Sequence, residues 1–168
     1  MEALKDPEMK EILEGFCQES DELFEKLEEV LEDFEDDPSN TSKLEEYGQI
    51  IDRIMGAAKS IGLDDIGKIC ELGKIIGYKS SQAKEPELLE VVSAVLFDAL
   101  EILRDMNDKL KSGDFDGLSN VNSKAFKSRM KWISDKFKDI QRSSCDIGSG
   151  EDQLDQNDID KLMNGLGL

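Results

Sequence analysis

Three residues of one predicted helix have types and a spacing that could handle a bound group by hydrogen bonding. Gln49, Asp52 and Gly56 stand at i, i+3 and i+7, so they share one helix face. A glutamine amide can position water for attack without changing its protonation; a solvated surface position for Gln49 is the alternative. A glycine within a helix costs about 1 kcal/mol relative to alanine. Gly56 therefore favours close approach by another surface, either a docking partner or a neighbouring helix of the same fold.

The composition excludes several classes of active site and partner. The 168 residues include 39 acidic and 21 basic side chains, giving a net charge of −18, and no histidine. Without histidine, Ser-His and Cys-His nucleophiles, the usual zinc sites and a phosphohistidine relay are excluded. The negative charge argues against a nucleic-acid partner, and no P-loop, GxSxG or EF-hand pattern is present. We therefore expect no metal site and no cofactor of the protein's own.

The cysteines and the N-terminal residues favour a cytoplasmic protein. Cys17, Cys70 and Cys145 are far apart and form no CxxC pair, so no disulfide framework is indicated. The first residues lack the basic and apolar regions of a signal peptide. No apolar run approaches the roughly 20 residues that cross a bilayer. The sequence therefore predicts a cytoplasmic location and no membrane partner.

Hydrophobic residues at three- and four-residue steps predict an all-α fold. Start signals such as Asp6-Pro7 and stop signals such as Gly62 and Gly113 delimit the helices. The predicted helices cover residues 7–36, 42–61, 64–77, 86–112 and 121–141. We expect an antiparallel four- or five-helix bundle over residues 1–142, with a core at 8–112 and an extra basic helix at 119–142. A flexible linker at 143–153 would tether a helical peptide at 154–168.

The charge is unevenly distributed along the chain. Residues 1–48 carry 18 acidic and 4 basic side chains, whereas residues 119–142 carry 7 basic and 2 acidic ones. This polarity favours a basic segment that lies against an acidic face of the same molecule. A basic helix that is solvated on its own is the alternative.

The C-terminal peptide carries the most specific pattern of the chain. Its apolar residues fall at i, i+3, i+4 and i+7, and so short a helix is marginal in water unless a partner's groove completes it. Docking on its own bundle is the alternative. The peptide resembles the CheY-binding segments of the chemotaxis phosphatase CheZ and of the flagellar switch protein FliM. That resemblance implies binding to a CheY-like receiver domain through Leu154, Gln156, Asp158, Ile159, Asp160, Leu162, Met163 and Leu166.

The bundle resembles a histidine phosphotransfer domain of the kind found in CheA-type chemotaxis kinases. The resemblance lies in the order of the helices and in the stretch from Ile51 to Leu63, where Gly56 and Gly62 match two glycines of the family. Asp52 stands where the family has its phosphorylated histidine, and Met55 replaces a lysine. The resemblance implies a bundle that meets a response regulator but is not itself a histidine phosphotransferase.

The same helix also resembles the catalytic stretch of CheZ over residues 45–55. That resemblance implies that Glu45 engages a receiver and that Gln49 orients the water that attacks its phosphoaspartate, with Asp52 as a further candidate. The receiver would supply the Mg²⁺. Gly56, Arg53 and Lys59 complete the predicted receiver-docking face.

These patterns lead to three hypotheses about function. The first is a chemotaxis or flagellar signalling protein that binds a CheY-like response regulator and promotes its dephosphorylation. The second is a non-catalytic adaptor or competitor that sequesters the regulator. The third is a structural helical module whose tail resembles these motifs by chance. Assembly into a homo-oligomer is compatible with each of them.

Overall fold

The computed structural model confirms the all-α fold. It describes residues 7–83, 86–120, 126, 128–133, 135–136 and 156–166. The four long helices are α1 (Pro7–Asp36), α2 (Ser42–Ser60), α3 (Asp64–Ser81) and α4 (Pro86–Ser112), followed by a 3-10 turn (Gly117–Asn120). A C-terminal helix covers Gln156–Gly165.

Ion pairs between neighbouring helices show that the bundle is antiparallel. On the α1–α2 side, residues 19 and 33 pair with residues 53 and 43, so the two helices run in opposite directions. Residues 71 and 74 of α3 pair with 59 and 52 of α2, and residues 104 and 111 of α4 pair with 28 and 21 of α1. Each helix buries one apolar stripe in a shared core, which is how an amphipathic helix gains most of its stability.

The structure corrects the predicted end of α3. The sequence suggested an end near Gly77, but α3 continues for four residues to Ser81. Gly77 is buried against α2: a Cβ built there would lie 3.5 Å from Tyr47 Cδ1 and 3.6 Å from the Leu44 carbonyl oxygen. This glycine therefore serves helix packing rather than helix termination. Gly62 and Gly113 do adopt positive φ angles, of 79° and 74°, after α2 and α4.

The segment that follows the 3-10 turn packs on the bundle where the structure describes it. Residues 126, 128–133 and 135–136 are helical, and the rest of the predicted 121–141 helix lies outside the described residues. Phe126, Met130 and Ile133 are buried at i, i+4 and i+7. Arg129 forms an ion pair with Asp98 of α4. The basic segment thus contacts an acidic side chain of its own molecule.

The C-terminal helix lies on the bundle of its own chain. It contacts α3, Ile159 is fully buried, and Leu162, Met163 and Leu166 pack against the core. Lys68 Nζ donates a hydrogen bond to the Gly165 carbonyl oxygen at 3.4 Å. The predicted linker at 143–153 lies outside the described residues.

Candidate functional site

Helix α2 has one apolar and one open face, and the candidate residues lie on the open one. Its buried side is formed by Leu44, Tyr47, Ile51, Ile54 and Ala58. Glu45, Gln49 and Gly56 are exposed, and Asp52 is half-buried at the edge towards α3. At i, i+4, i+7 and i+11 these four residues form one continuous stripe. The structure therefore brings Glu45, Gln49, Asp52 and Gly56 onto a common face, as their spacing indicated.

Ion pairs with both neighbouring helices flank this stripe. On the α1 side, Arg53 Nε donates to Glu19 Oε1 at 2.8 Å. On the α3 side, Lys59 Nζ lies 2.8 Å from Glu71 Oε2. Exposed pairs of this kind contribute about 0–1 kcal/mol each. Arg53 and Lys59, two of the predicted docking residues, thus border the stripe with their charges already balanced.

Asp52 is held by a lysine that the sequence analysis did not identify. Lys74 Nζ of α3 lies 2.8 Å from Asp52 Oδ2. The other carboxylate oxygen, Oδ1, is shielded from solvent and has no hydrogen-bond donor among the described residues. A buried acceptor without a donor costs free energy, so a donor that reaches Oδ1 would stabilise the carboxylate. The position where the phosphotransfer pattern has histidine therefore carries a carboxylate that is half paired and half unsatisfied.

Tyr78 of α3 is a second residue that sequence reasoning missed. Its ring is an unusually exposed aromatic side chain, 53% accessible. In the antiparallel register set by Asp52 and Lys74, one turn along each helix brings Tyr78 level with Gly48, which precedes Gln49. Only the pairing of α2 with α3 reveals this neighbour, because periodicity within a single helix carries no inter-helix register.

The glycines of α2 and α3 serve two different purposes. On α3, a Cβ at Gly73 would lie 2.7 Å from the Tyr47 hydroxyl, and one at Gly67 would lie 2.9 Å from Lys59 Cγ. Those glycines permit close packing of α3 on α2. On α2, a Cβ at Gly48 or Gly56 would meet nothing within 4 Å. No packing within the described residues accounts for these two glycines of α2.

Gly15 of α1 likewise has no packing partner among the described residues. It lies one turn from Glu19, the residue that pairs with Arg53, and is level with Gly56 across the α1–α2 boundary. A Cβ at Gly15 would also meet nothing within 4 Å. A glycine without a packing partner among the described residues therefore also lies on the surface of α1 that adjoins α2.

The groups buried behind the stripe are kept neutral. Tyr47 is fully buried, and its hydroxyl has no hydrogen-bond partner among the described residues. Burial raises the pKa of the Tyr47 hydroxyl, with a smaller contribution from Cys70. Burial likewise raises the pKa of the Cys70 thiol. Neither group supplies a nucleophile at neutral pH, so chemistry on this side of the molecule falls to the outer stripe.

The residues predicted to bind a receiver through the tail are only partly described. Ile159 is buried, and Asp160, Leu162, Met163 and Leu166 are half-buried. The four apolar residues pack against the core, on a helix that contacts α3. The backbone of Gln156 and Asp158 is helical, while Leu154 lies outside the described residues. Docking on the protein's own bundle, one of the two alternatives for the tail, is the arrangement seen in the free chain.

Neither a metal centre nor a membrane span is found in the described parts of the chain. There is no group of three or more acidic or cysteine side chains there that could hold an ion. None of the helices described is long and apolar enough to cross a bilayer.

Comparison with known proteins identifies one domain family. The family model of the Hpt domain matches residues 11–113, which span α1 to the end of α4. No curated protein and no solved structure matches the chain.

Proposed function

Because the chain belongs to the Hpt family, whose domains act in two-component signalling and interact with response regulators, we propose that its α2 face binds a CheY-like regulator and promotes loss of the regulator's phosphoryl group. None of the 168 residues is a histidine, so no residue can serve as the phosphohistidine of a relay. The chain instead acts on a phosphoryl group that its partner carries. We place this activity in chemotaxis or flagellar signalling on the resemblance of the C-terminal peptide.

The observation that carries this proposal is the pair of unpacked glycines on α2, Gly48 and Gly56. Gly48 and Gly56 lie one turn before and one turn after Asp52, and no described residue lies within 4 Å of a Cβ added at either position. Each glycine costs about 1 kcal/mol of helix stability relative to alanine, and no contact among the described residues offsets that cost. A partner that approaches the backbone of α2 closely, on both sides of residue 52, accounts for both.

The proposed reaction needs only a positioned water molecule from this chain. Water attacks the phosphorus of the regulator's phosphoaspartate in line with the bond to the carboxyl oxygen; a phosphorus–oxygen bond forms to water and the acyl phosphate bond breaks. The products are inorganic phosphate and the free aspartate. Gln49, exposed at the centre of the stripe, orients that water, Glu45 contacts the receiver, and the receiver's Mg²⁺ and lysine stabilise the transferring group.

The C-terminal helix serves as the capture element in this proposal. Its apolar stripe, Ile159 with Leu162, Met163 and Leu166, packs on α3 in the free chain. A short helix of this kind contributes little stability by itself, so it can exchange α3 for a groove on the regulator. Once bound, the tail raises the local concentration of the regulator at the α2 face.

The test follows the decay of phosphoaspartate on a purified CheY-like receiver with and without the full chain. We expect faster decay with the chain, and Gln49→Ala to reduce the acceleration at least tenfold without weakening binding. Gln18→Ala is the matched control, since Gln18 is an exposed glutamine on α1. Deletion of residues 154–168 is expected to weaken binding.

The outcomes separate the competing functions. Binding without acceleration would leave the adaptor that sequesters the regulator. Full activity in Gln49→Ala would move the chemistry away from α2. Absence of any binding to the receiver would overturn the proposal and leave a structural module.

A further inference from the structure

The cation level with the middle of the α2 stripe is Lys74, and it reaches the stripe from α3. Arg53 and Lys59 are drawn to the two edges by Glu19 and Glu71. Lys74 pairs with Asp52 itself, one turn from Gln49 along α2. A phosphoryl group placed for attack by a Gln49-oriented water would therefore arrive closest to the Lys74 ammonium group.

The ion pair between Lys74 and Asp52 contributes little stability and can be broken easily. Their side chains are 39% and 42% exposed, and ion pairs at such exposure contribute little net stability. Among the residues that the structure describes, Asp52 Oδ1 has no donor, so no further hydrogen bond to this carboxylate reinforces the pair there. A phosphoryl group is a stronger acceptor for an ammonium group than a half-solvated carboxylate, because its charge is larger and it offers several oxygens.

We infer that Lys74 is the residue by which this chain distinguishes a phosphorylated receiver from an unphosphorylated one. This inference rests on the proposed function. On docking, the ammonium group turns from Asp52 Oδ2 to an oxygen of the phosphoryl group, and no covalent bond of Lys74 changes. Without a phosphoryl group, Lys74 stays on Asp52 and contributes nothing to binding. The lysine is a specificity-determining residue that contacts the transferred group, and Asp52 holds it in position.

The experiment measures the affinity of the full chain for a CheY-like receiver, either unmodified or loaded with beryllofluoride as an acyl-phosphate mimic. The wild-type chain is expected to prefer the loaded receiver. Lys74→Met is expected to weaken binding to the loaded receiver about tenfold, the usual effect of losing one charge-assisted hydrogen bond. Its affinity for the unmodified receiver should stay within about twofold, and Lys74→Arg should retain the preference.

A double variant distinguishes contact from simple charge balance. If Lys74 acts only by neutralising Asp52, then Asp52→Asn combined with Lys74→Met restores the preference for the loaded receiver, and the inference is overturned. If Lys74 contacts the phosphoryl group, the double variant remains as weak as Lys74→Met. Thermal unfolding of each variant checks that α2 and α3 still pack.

Failure of the inference can be told from failure of the proposed function. A wild-type chain that binds neither form of the receiver refutes the proposed function. A chain that binds both forms, with the same preference in Lys74→Met as in wild type, refutes the role of Lys74 alone. Binding of inorganic phosphate by the chain in the absence of a receiver would show that the face binds the anion without a protein partner. That result would overturn the assignment to a receiver.

Discussion

Replacing Gly56 by alanine is expected to stabilise the fold and to weaken binding, two effects that seldom occur together in a surface substitution. Gly56 lies inside α2, and its φ is negative, since Gly62 and Gly113 are the positive-φ glycines of the described chain. A methyl group there meets nothing within 4 Å. Alanine is therefore free of strain at this position in the unbound protein.

The size of the gain follows from helix propensity. Alanine is favoured over glycine within a helix by about 1 kcal/mol, partly because it restricts the unfolded chain. For a chain of this length, 1 kcal/mol raises the melting temperature by about 2–4 °C. Gly48→Ala should give a similar gain, because a Cβ there is equally unopposed. The two sites lie two turns apart and share no partner, so their effects on stability should add.

Gly73→Ala provides the matched contrast. Its Cβ would lie 2.7 Å from the hydroxyl oxygen of Tyr47, and the Tyr47 ring is fully buried and cannot swing aside. Overpacking of this kind costs about 1–3 kcal/mol, which cancels or exceeds the gain in propensity. We expect Gly73→Ala to unfold at the same or a lower temperature than the wild-type chain.

The assay combines thermal unfolding with affinity for the receiver. Gly56→Ala should melt about 2–4 °C higher and bind the receiver about tenfold more weakly, because a methyl group at a close contact costs 1–3 kcal/mol. Stabilisation with unchanged affinity would mean that no partner approaches the α2 backbone at residue 56. A loss of stability would mean that the glycine has a packing role within the chain.

Three further predictions concern other parts of the molecule. Ile159→Asp should release the C-terminal helix from α3, so that amide protons of residues 156–166 exchange rapidly while the bundle keeps its urea midpoint. Asn164→Asp, which makes the same charge change at an exposed position, should leave the exchange unchanged. Burial raises the pKa of the Cys17 thiol from 9.0 to about 11. The stability that the buried, protonated thiol supports is therefore complete below pH 9 and is lost as the pH rises through 11. Cys17→Ala should flatten the fall in urea midpoint over that range, and an equally steep fall in the variant would refute this prediction. The Arg104 hydrogen bonds lower the pKa of Glu28 from 4.5, so the stability from this exposed pair is present above pH 4.5 and is lost as the pH falls through the lowered pKa. Arg104→Met should therefore cost about 0.5–1 kcal/mol at pH 7 by urea unfolding, and this cost should shrink as the pH falls below 4.5.

The sequence predicts the elements of the bundle well because each long helix carries a complete local signal. The apolar repeat of α1 ends before Pro38, and α4 begins at Pro86 and is followed by Gly113 with positive φ. The predicted end of α3 was wrong because a glycine can end a helix or permit close packing within one, and the two uses look identical in sequence. Gly77 accommodates the Tyr47 ring of the neighbouring helix, and that contact exists only once α2 and α3 are paired.

The candidate site divides along the same line. Glu45, Gln49, Asp52 and Gly56 share a face through helical periodicity alone, so their arrangement could be predicted. The partners of that face could not: Lys74 and Tyr78 lie more than 20 residues away in sequence and arrive through the register of α3 on α2. Likewise, the amphipathic pattern of the tail specifies that Ile159 will be buried, but it does not specify by which surface.

In the proposed function, α3 and a groove on the regulator compete for the tail, and the free-energy difference between the two docked states decides which one holds it. A regulator that captures the tail must first displace it from α3, so the apparent affinity equals the intrinsic affinity reduced by the fraction of tails that are free. Full burial of Ile159 and the bond from Lys68 to Gly165 favour the docked state, whereas the ten-residue length of the helix limits its stability. In the proposed function, self-docking would therefore set a threshold of regulator concentration, below which the tail would remain on α3. In the proposed function, a regulator that binds the α2 face and the tail together would gain from both contacts, and the bundle and the peptide would act as one binding unit.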